Sequence, residues 1–270
     1  MKIDGANLAS GILSQIKNKT DELRIEGIVP ALAIIYAGDN KSSESYIRQK
    51  IKKGGEVGVE IELFRFKKNS TTEELINLIT KLNSDKKFHG IIIQRPIFEK
   101  FNKKEILNSI KDEKDIDGFN KNSYFKVPVA EAVWEIISSV TDPHSKSILV
   151  IGKGQAGGKP IIEFLKKKGI NPLLADTRIK DLSSLTKKAD IIVSAVGKKI
   201  ITPEIIKKGV ILIGVGISNK NSTLYGDYNE EEVEKIASFY TPTPGGVGPV
   251  NVAFLLKNVV DAAILAKSKV

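Results

Sequence analysis

Residues 147–160 read S-I-L-V-I-G-K-G-Q-A-G-G-K-P, an apolar run that enters a glycine-rich turn. Gly152, Gly154 and Gly157 form the pattern G-x-G-x-x-G between a predicted strand and a predicted amphipathic helix at 158–168. Glycines in such a turn let backbone N–H groups approach a pyrophosphate, and the helix N-terminus adds partial positive charge. The stretch therefore predicts dinucleotide binding, with an ordinary tight strand–helix turn as the alternative.

The second predicted strand of this half, 172–176, ends in a mixed set of polar side chains. Asp176 lies 24 residues after Gly152, near the spacing at which an acidic residue of such folds binds the adenosine ribose. A carboxylate there would bind the 2′-hydroxyl of NAD, whereas Thr177, Arg178 and Lys153 would bind the 2′-phosphate of NADP. The two cations outnumber the acid, so the sequence favours NADP and leaves NAD as the alternative.

Strand-like and helix-like segments alternate along the whole chain, which predicts an α/β fold with parallel sheets. The turn-rich stretch at 141–145 indicates a domain boundary, so we predict domains at 1–139 and 140–245. The predicted strands are 31–36, 60–66, 90–94, 147–151, 172–176, 190–195 and 210–215. The predicted helices are 5–26, 42–57, 71–82, 103–110, 158–168, 181–188, 203–207 and 252–267. Ser42 or Ser43 would cap the second helix, and Thr71 or Thr72 would open the third with Glu74 as the acid of a capping box.

The first half carries a small set of residues suited to chemistry. Tyr46 and Lys50 are spaced i, i+4 and share one face of the predicted 42–57 helix. Lysine that enters an apolar cleft has a lowered pKa and can exchange protons. Gln94 ends a buried strand, where its amide could orient a substrate or a lysine. Each of these features is also compatible with a purely structural role.

Two further segments are candidates for ligand contact. Lys114 to Phe119 places Asp115 and Asp117 beside a glycine, which suits either an Asx-type turn or the donor edge of a heterocycle. The segment at 240–251, Y-T-P-T-P-G-G-V-G-P-V-N, holds three prolines and three glycines within eight residues. Such a rigid loop can press its backbone against a ligand or serve as a stiff connection.

Composition excludes several classes of function. The chain has 270 residues, no cysteine and two histidines, so disulfides, cysteine nucleophiles, histidine triads and multi-histidine metal sites are not expected. Its net charge is +10, from 42 Lys and Arg against 32 Asp and Glu, but the lysines are dispersed and aromatic residues make up 6%. We therefore expect no nucleic-acid partner, although a basic binding module is a second hypothesis. The N-terminal M-K-I-D-G lacks a signal peptide's apolar stretch, and no membrane span is expected, so we predict a cytoplasmic protein.

Six stretches, in order, resemble the bifunctional methylenetetrahydrofolate dehydrogenase/methenyltetrahydrofolate cyclohydrolase family over nearly the whole chain. They are the segment from Pro30 through Tyr46-x-x-x-Lys50 to Gly58, I-I-I-Q-R-P at 91–96, K-D-I-D-G-F at 114–119, the glycine turn at 152–160, A-D-I-I-V-S-A-V-G at 189–197 and P-G-G-V-G-P at 244–249. The last string reproduces the most specific motif of the family.

The resemblance implies two linked reactions in one-carbon metabolism. NADP, or alternatively NAD, takes a hydride from 5,10-methylenetetrahydrofolate, and water then opens the methenyl product to 10-formyltetrahydrofolate. It also implies two lobes with a cleft between them: an N-terminal α/β substrate lobe and a Rossmann-like parallel-sheet cofactor lobe. The C-terminal helix, 246–270, would return to the first lobe, and the chain would form a homodimer. An NAD-dependent or dehydrogenase-only member, or another Rossmann oxidoreductase, is the alternative.

The family's functional positions map onto named residues of this chain. Lys50 would be the acid/base group of hydrolysis, Gln94 its hydrogen-bond partner, and Tyr46 the side chain that holds the folate ring. Folate contacts would also come from Ser43, Asp117, Pro244, Gly245, Gly246, Val247 and Gly248. Cofactor contacts would come from Gly152, Lys153, Gly154, Thr177 and Ile217.

Several positions depart from the family pattern. The usual Arg-Ser after the first loop glycine is Lys153-Gly154, and the usual His-Ser after the second strand is Asp176-Thr177. The strand end D-V-G-I is G-V-G-I at 214–217, which lacks the acid. The family's P-C-T-P segment has only Pro128 and Val129 nearby.

Overall fold

A computed structural model of the chain describes residues 1–176, 179, 181–220 and 223–268. The chain divides into two compact units. The three-stranded unit comprises Ser10–Pro128 and Val252–Val270, and the five-stranded unit comprises Met1–Ala9 and Val129–Asn251.

The elements follow one another in an alternating order. The helices are α1 (Gly5–Ile25), α2 (Lys41–Glu56), α3 (Thr72–Ser84), α4 (Lys103–Asn108), α5 (Pro128–Ser138), α6 (Gly158–Lys167), α7 (Leu182–Thr186), α8 (Glu230–Val233) and α9 (Val247–Lys267). The strands are β1 (Ala31–Tyr36), β2 (Glu60–Arg65), β3 (Gly90–Gln94), β4 (Ile148–Ile151), β5 (Leu173–Ala175), β6 (Ile191–Ser194), β7 (Ile211–Gly214), β8 (Ser218–Lys220), β9 (Thr223–Tyr225) and β10 (Phe239–Tyr240).

The three-stranded unit is built on a parallel sheet in the order β2-β1-β3. The strands β1 and β3 are buried along their whole length, which explains why they read as continuous apolar runs rather than alternating ones. In register, Tyr36 at the end of β1 pairs with Gln94 at the end of β3. This pairing brings the carboxyl ends of both strands to one edge of the sheet.

The helix α9 contributes its apolar residues to the core of the three-stranded unit. Leu256 and Val259 are fully buried in the same cluster as Leu32 and Ile34 of β1. Among the described residues, α9 has the length and apolar composition of a membrane span, but more than half of that window is buried within the protein. Its burial is that of a core helix.

The five-stranded unit holds a parallel sheet in the order β10-β7-β6-β4-β5. The strands β5 and β6 flank β4 on opposite sides, so the strand order reverses at β4. In doubly wound sheets, ligands bind at the carboxyl edge of such a switch point. The glycine turn follows β4 and lies at that edge. A short antiparallel pair, β8 and β9, stands apart from the sheet.

Several local predictions differ from the structure. The predicted helix at 203–207 is one 3₁₀ turn at Pro203–Ile205. Asn40, not Ser42 or Ser43, caps α2, because its side chain accepts hydrogen bonds from the backbone N–H groups of both serines. The helix α9 begins at Val247, five residues before the start at 252 that the local pattern predicted and one residue after the start at 246 that the family resemblance implied; proline is tolerated in the first turn of a helix. The Thr71–Glu74 capping box is confirmed.

Candidate active site

Lys50 and Gln94 are brought together at the carboxyl edge of the three-stranded sheet. The helix α2 follows β1 and carries Lys50, while Gln94 ends the neighbouring strand β3. The Lys50 Nζ donates a hydrogen bond of 2.9 Å to Gln94 Oε1, and the two side chains are 5% and 8% exposed. Gln94 Nε2 donates in turn to the carbonyl of Arg95 at 2.9 Å, so the amide oxygen faces the lysine.

Burial changes the proton affinity of this lysine. Desolvation lowers the pKa of Lys50 to about 8, and the negative charge of Asp117 opposes that shift. The Lys50 ammonium also lies 4.9 Å from the ring centroid of Tyr46, one helical turn earlier on α2. The group therefore exchanges protons near neutral pH, as acid/base chemistry requires.

Ser43 ties the start of α2 to the end of β3. Its Oγ donates a 3.1 Å hydrogen bond to the carbonyl of Arg95, and its backbone N–H is held by Asn40. Ser43 is 5% exposed. The contact fixes the position of α2, and hence of Lys50, relative to the strand end that carries Gln94.

The two acids of the 114–119 segment have different environments. Asp115 is buried and accepts a 2.7 Å hydrogen bond from the backbone N–H of Asn120, which closes a turn. Burial raises its pKa to about 6. Asp117 is partly buried, and within the described chain its carboxylate accepts no hydrogen bond. Desolvation raises the pKa of Asp117, whereas the charges of Lys50 and Arg95 lower it. Asp117 is thus the acid of the pair whose acceptor atoms are left for a ligand.

The proline- and glycine-rich segment at 244–248 is a tight backbone structure in the five-stranded unit. The Thr243–Pro244 peptide is cis, and Gly245 has φ +106°, which favours glycine. The carbonyl of Gly245 accepts a 3.0 Å hydrogen bond from the backbone N–H of Gly5. A β-carbon on Gly246 would lie 2.6 Å from the carbonyl oxygen of Pro242. Only glycine fits at Gly245 and Gly246, because of the positive φ at the first and the close backbone approach at the second.

The glycine turn after β4 leaves open space beside an uncapped helix N-terminus, which suits an anion. Gly152 has φ +97°, and a β-carbon on Gly158 would lie within 1.9 Å of the Gly152 carbonyl oxygen. Lys153 and Gly154 are exposed, and a β-carbon on Gly154 would meet nothing within 4 Å. Gly157 caps α6 without any side-chain hydrogen bond, so the helix N-terminus is not blocked by the protein's own side chains. These residues fit the pyrophosphate of a dinucleotide.

The other predicted cofactor residues lie along the same sheet edge or outside the described chain. Asp176 directly follows β5 and is partly buried, and Ile217 follows β7 and is 52% exposed. Thr177 and Arg178 lie outside the described residues.

No metal site is apparent in the part of the chain that the structure describes, since no three His, Cys, Asp or Glu side chains converge. His89 accepts a hydrogen bond from the backbone N–H of Ala31 through Nδ1 at 3.2 Å, and burial lowers its pKa. His144 packs edge-on against Trp134, with ring centroids 5.7 Å apart. Both histidines have structural contacts.

Two residues of interest were missed by the sequence analysis. Arg95 follows Gln94, and its guanidinium lies 4.0 Å from the ring centroid of Phe119, within electrostatic range of Asp117. A charged residue directly after a buried strand is a signal that could have identified it. Asp227 is fully buried and binds backbone N–H groups of two loops, a contact that spacing along the chain does not reveal.

Two family models together match most of the chain. The model of the tetrahydrofolate dehydrogenase/cyclohydrolase catalytic domain matches residues 3–117. The model of the tetrahydrofolate dehydrogenase/cyclohydrolase NAD(P)-binding domain matches residues 128–267.

Full-length relatives and solved structures give the same result. The chain is 33% identical to the bifunctional protein FolD of Moorella thermoacetica, over 97% of this chain and 98% of the relative. It matches the crystal structure of FolD from Campylobacter jejuni with a TM-score of 0.91 and 33% identity, covering 100% and 99% of the two chains. It matches FolD from Trypanosoma brucei, solved with NADP cofactor and an inhibitor, with a TM-score of 0.93 and 29% identity, covering 99% and 98%.

These matches confirm three predictions from the sequence: the family, the two-domain α/β fold with parallel sheets, and the enzyme class. The matched regions cover both the segment with Lys50 and Gln94 and the segment with the glycine turn. The chain belongs to the tetrahydrofolate dehydrogenase/cyclohydrolase family.

Proposed function

We propose that the chain oxidises 5,10-methylenetetrahydrofolate with NADP and then hydrolyses the methenyl product to 10-formyltetrahydrofolate. The catalytic-domain model and the full-length bifunctional relatives support both activities. The NAD(P)-binding model over 128–267 and the NADP complex of the Trypanosoma brucei relative support the predicted cofactor. From the family resemblance, we further assign the 10-formyltetrahydrofolate product to purine biosynthesis.

The single observation that carries the proposal is the buried hydrogen bond between Lys50 Nζ and Gln94 Oε1 at 2.9 Å. An amine with a pKa near 8 is neutral in an appreciable fraction of molecules at neutral pH. Its free lone pair takes a proton from the water that attacks the amidinium carbon, which gives a neutral carbinolamine. The ammonium then gives that proton to the ring nitrogen whose bond to this carbon breaks, and the remaining hydroxyl proton leaves to solvent as the formyl C=O forms. Gln94 accepts an N–H of the lysine in both states, so it keeps the nitrogen in place throughout.

We assign folate recognition to residues around this pair. The Asp117 carboxylate accepts hydrogen bonds from the amino and N–H edge of the pterin, since no protein donor occupies it among the described residues. Tyr46 packs on the ring system. Ser43 fixes the helix that carries Lys50 and contributes a substrate contact. We assign the remaining predicted folate contacts to Pro244, Gly245, Gly246, Val247 and Gly248 of the five-stranded unit.

We assign cofactor binding to the carboxyl edge of the five-stranded sheet. Bound NADP supplies the hydride acceptor of the first reaction. The glycine turn, with Gly152, Lys153 and Gly154, holds the pyrophosphate, and Ile217 contacts the same ligand. Asp176, Thr177 and Arg178 read the adenosine ribose, which keeps NAD as the alternative cofactor.

We propose a functional division that follows the predicted domain boundaries. Residues 1–139 with the returning helix 246–270 form the folate-binding catalytic domain, and 140–245 form the cofactor domain. We also propose that the protein is cytoplasmic and forms a homodimer. Its ligand is the small-molecule folate, and it binds neither nucleic acid nor a membrane. Mass measurement in solution, and binding assays with duplex DNA and with lipid vesicles, test these assignments.

The experiment that tests the function compares two lysines on one helix. Lys50→Met should abolish hydrolysis of the methenyl substrate while leaving measurable NADP reduction with methylenetetrahydrofolate. Lys53→Met is the matched control, because the Lys53 side chain is partly exposed, where Lys50 is buried, and pairs with Glu56 at 2.7 Å. A wild-type chain without folate-dependent NADP reduction would refute the function, and unimpaired hydrolysis in Lys50→Met would refute the assignment of Lys50.

A further inference from the structure

Asp227 binds two separate loops of the five-stranded unit through one fully buried carboxylate. Its Oδ1 accepts hydrogen bonds from the backbone N–H groups of Val196, Gly197 and Lys198 at 3.3, 2.6 and 3.3 Å. Its Oδ2 accepts from the N–H of Gly216 at 2.9 Å. One side chain therefore accepts hydrogen bonds from four backbone donors in two loops, and the N–H of Gly216 is shared with the carbonyl of Ser194 at 3.2 Å.

The two loops follow neighbouring strands at the sheet edge where the glycine turn lies. Residues 195–198 follow β6, and 215–217 follow β7. The glycine turn follows β4, and the predicted ribose-binding residue Asp176 follows β5, on the far side of β4. A dinucleotide whose pyrophosphate lies over the turn and whose adenosine lies over β5 must extend its nicotinamide half over β6 and β7.

The two loops approach each other closely beside this carboxylate. A β-carbon on Gly197, which has φ +72°, would lie 3.0 Å from the carbonyl oxygen of Ile217. A β-carbon on Gly216 would lie 2.1 Å from the nitrogen of Gly197 and 2.5 Å from Asp227 Oδ1. The backbone carbonyl of Asp227 also accepts a 3.0 Å hydrogen bond from Ile200. The loops thus make contact mainly through backbone atoms, and Asp227 is the side chain that joins them.

We propose that Asp227 is a positioning residue that holds the 195–198 and 215–217 loops in the shape that receives the nicotinamide half of NADP before the cofactor binds. This inference rests on the proposed cofactor site. A preformed surface costs no ordering free energy when the ligand arrives, so the residue contributes to affinity without touching the ligand.

The test compares two aspartates at opposite ends of β6. Asp227→Asn keeps the size of the side chain but replaces one acceptor oxygen with an NH₂ group, which cannot accept from Gly216 or the 196–198 amides. Asp190→Asn is the matched control, because Asp190 precedes β6 and accepts hydrogen bonds from Ser147 and Lys207 at the amino edge of the sheet. Titration calorimetry with NADP alone, without folate, measures affinity independently of turnover.

We expect Asp227→Asn to raise the NADP Kd at least tenfold and to leave the folate KM within twofold of the wild-type value. We expect Asp190→Asn to lower the Tm and to leave the NADP Kd within twofold of the wild-type value. Equal effects of the two variants on NADP affinity, or no effect of Asp227→Asn, would overturn the proposal. Failure of the wild-type chain to bind NADP would instead refute the proposed function.

Hydrogen exchange on the wild-type chain provides a second test that does not depend on a folded variant. We expect the amides of Val196, Gly197, Lys198 and Gly216 to be protected without NADP and to gain less than twofold protection when NADP is added. Fast exchange of these amides that slows only on NADP binding would show that the cofactor, not Asp227, shapes the loops.

Discussion

The hydroxyl of Tyr228 lies 3.2 Å from the point that a β-carbon on Gly214 would occupy at the end of β7. The family that this chain resembles carries an acid at this strand end, and here the tyrosine ring fills that space. The Tyr228 hydroxyl donates to the carbonyl of Thr241 at 2.6 Å, and Thr241 Oγ1 accepts from the N–H of Gly214 at 2.8 Å. A buried hydrogen-bonded network of Tyr228, Thr241 and the backbone therefore surrounds Gly214.

This relationship predicts that restoring the acid harms the protein. Gly214→Asp should lower the free energy of unfolding by about 2–4 kcal/mol, because it overpacks the site and buries a carboxylate beside the tyrosine. Urea unfolding measures the change. Gly11→Asp is the control, since Gly11 is exposed on α1 and a β-carbon there meets nothing within 4 Å. Equal stability of the two variants would contradict the packing argument.

The lowered pKa of Lys50 predicts a specific pH dependence of hydrolysis. In the proposed mechanism the neutral amine is the base, so the enzymatic rate, corrected for spontaneous hydrolysis, should rise with pH below about 8 and level off above it. Because the charge of Asp117 raises the pKa of Lys50, Asp117→Asn should move this inflexion to lower pH. Initial rates between pH 6 and 9 check both statements. A flat profile would remove Lys50 from the proton-transfer step.

The free carboxylate of Asp117 predicts a selective effect on folate binding. Asp117→Asn should raise the KM for methylenetetrahydrofolate by about ten- to a hundredfold, since hydrogen bonds to a charged group contribute roughly 1.5–3 kcal/mol. The KM for NADP should change less than twofold. Asp112→Asn, five residues earlier in the chain, serves as the control and should leave both KM values near those of the wild-type chain. An unchanged folate KM in Asp117→Asn would exclude the pterin contact.

The position of Asp176 after β5 predicts a change in cofactor preference. Asp176→Ser removes a negative charge near the expected 2′-phosphate and should raise the ratio of kcat/KM for NADP over NAD by about five- to tenfold, the effect of a unit charge at a solvated surface. Steady-state rates with both cofactors at fixed folate measure the ratio. If the ratio stays constant, the Asp176 carboxylate points away from the ribose.

Local pattern was enough to place most of the elements. The apolar runs of β1 and β3 identified buried parallel strands, and the i, i+4 spacing put Tyr46 and Lys50 on one face of α2. The helices and strands that the sequence did not predict are those whose hydrophobic pattern is weak or extends over only a few residues. The helix α5 has an apolar composition without a recognised cap, and the hairpin of β8 and β9 has three-residue strands.

Contacts between distant residues could not be predicted in the same way. Nothing within five residues of Asp227 indicates that its carboxylate reaches Gly197, which is 30 positions away. The distinction between Asp115 and Asp117 was likewise open, because both suit a turn or a ligand. The structure resolves it for Asp115, whose carboxylate is used by the Asn120 amide.

The amino-acid sequence by itself determined the alternation of strands and helices, the glycine turn, and the motifs that identify the family. These depend on residues within a few positions of one another, through periodicity and backbone freedom. The family resemblance implied that Gln94 is the partner of Lys50, but only the tertiary structure gave the 2.9 Å contact across 44 residues and the burial that lowers the pKa of Lys50 to about 8. Proton affinity and hydrogen-bond partners depend on burial and on side chains from separate strands, which meet only when the sheet has formed.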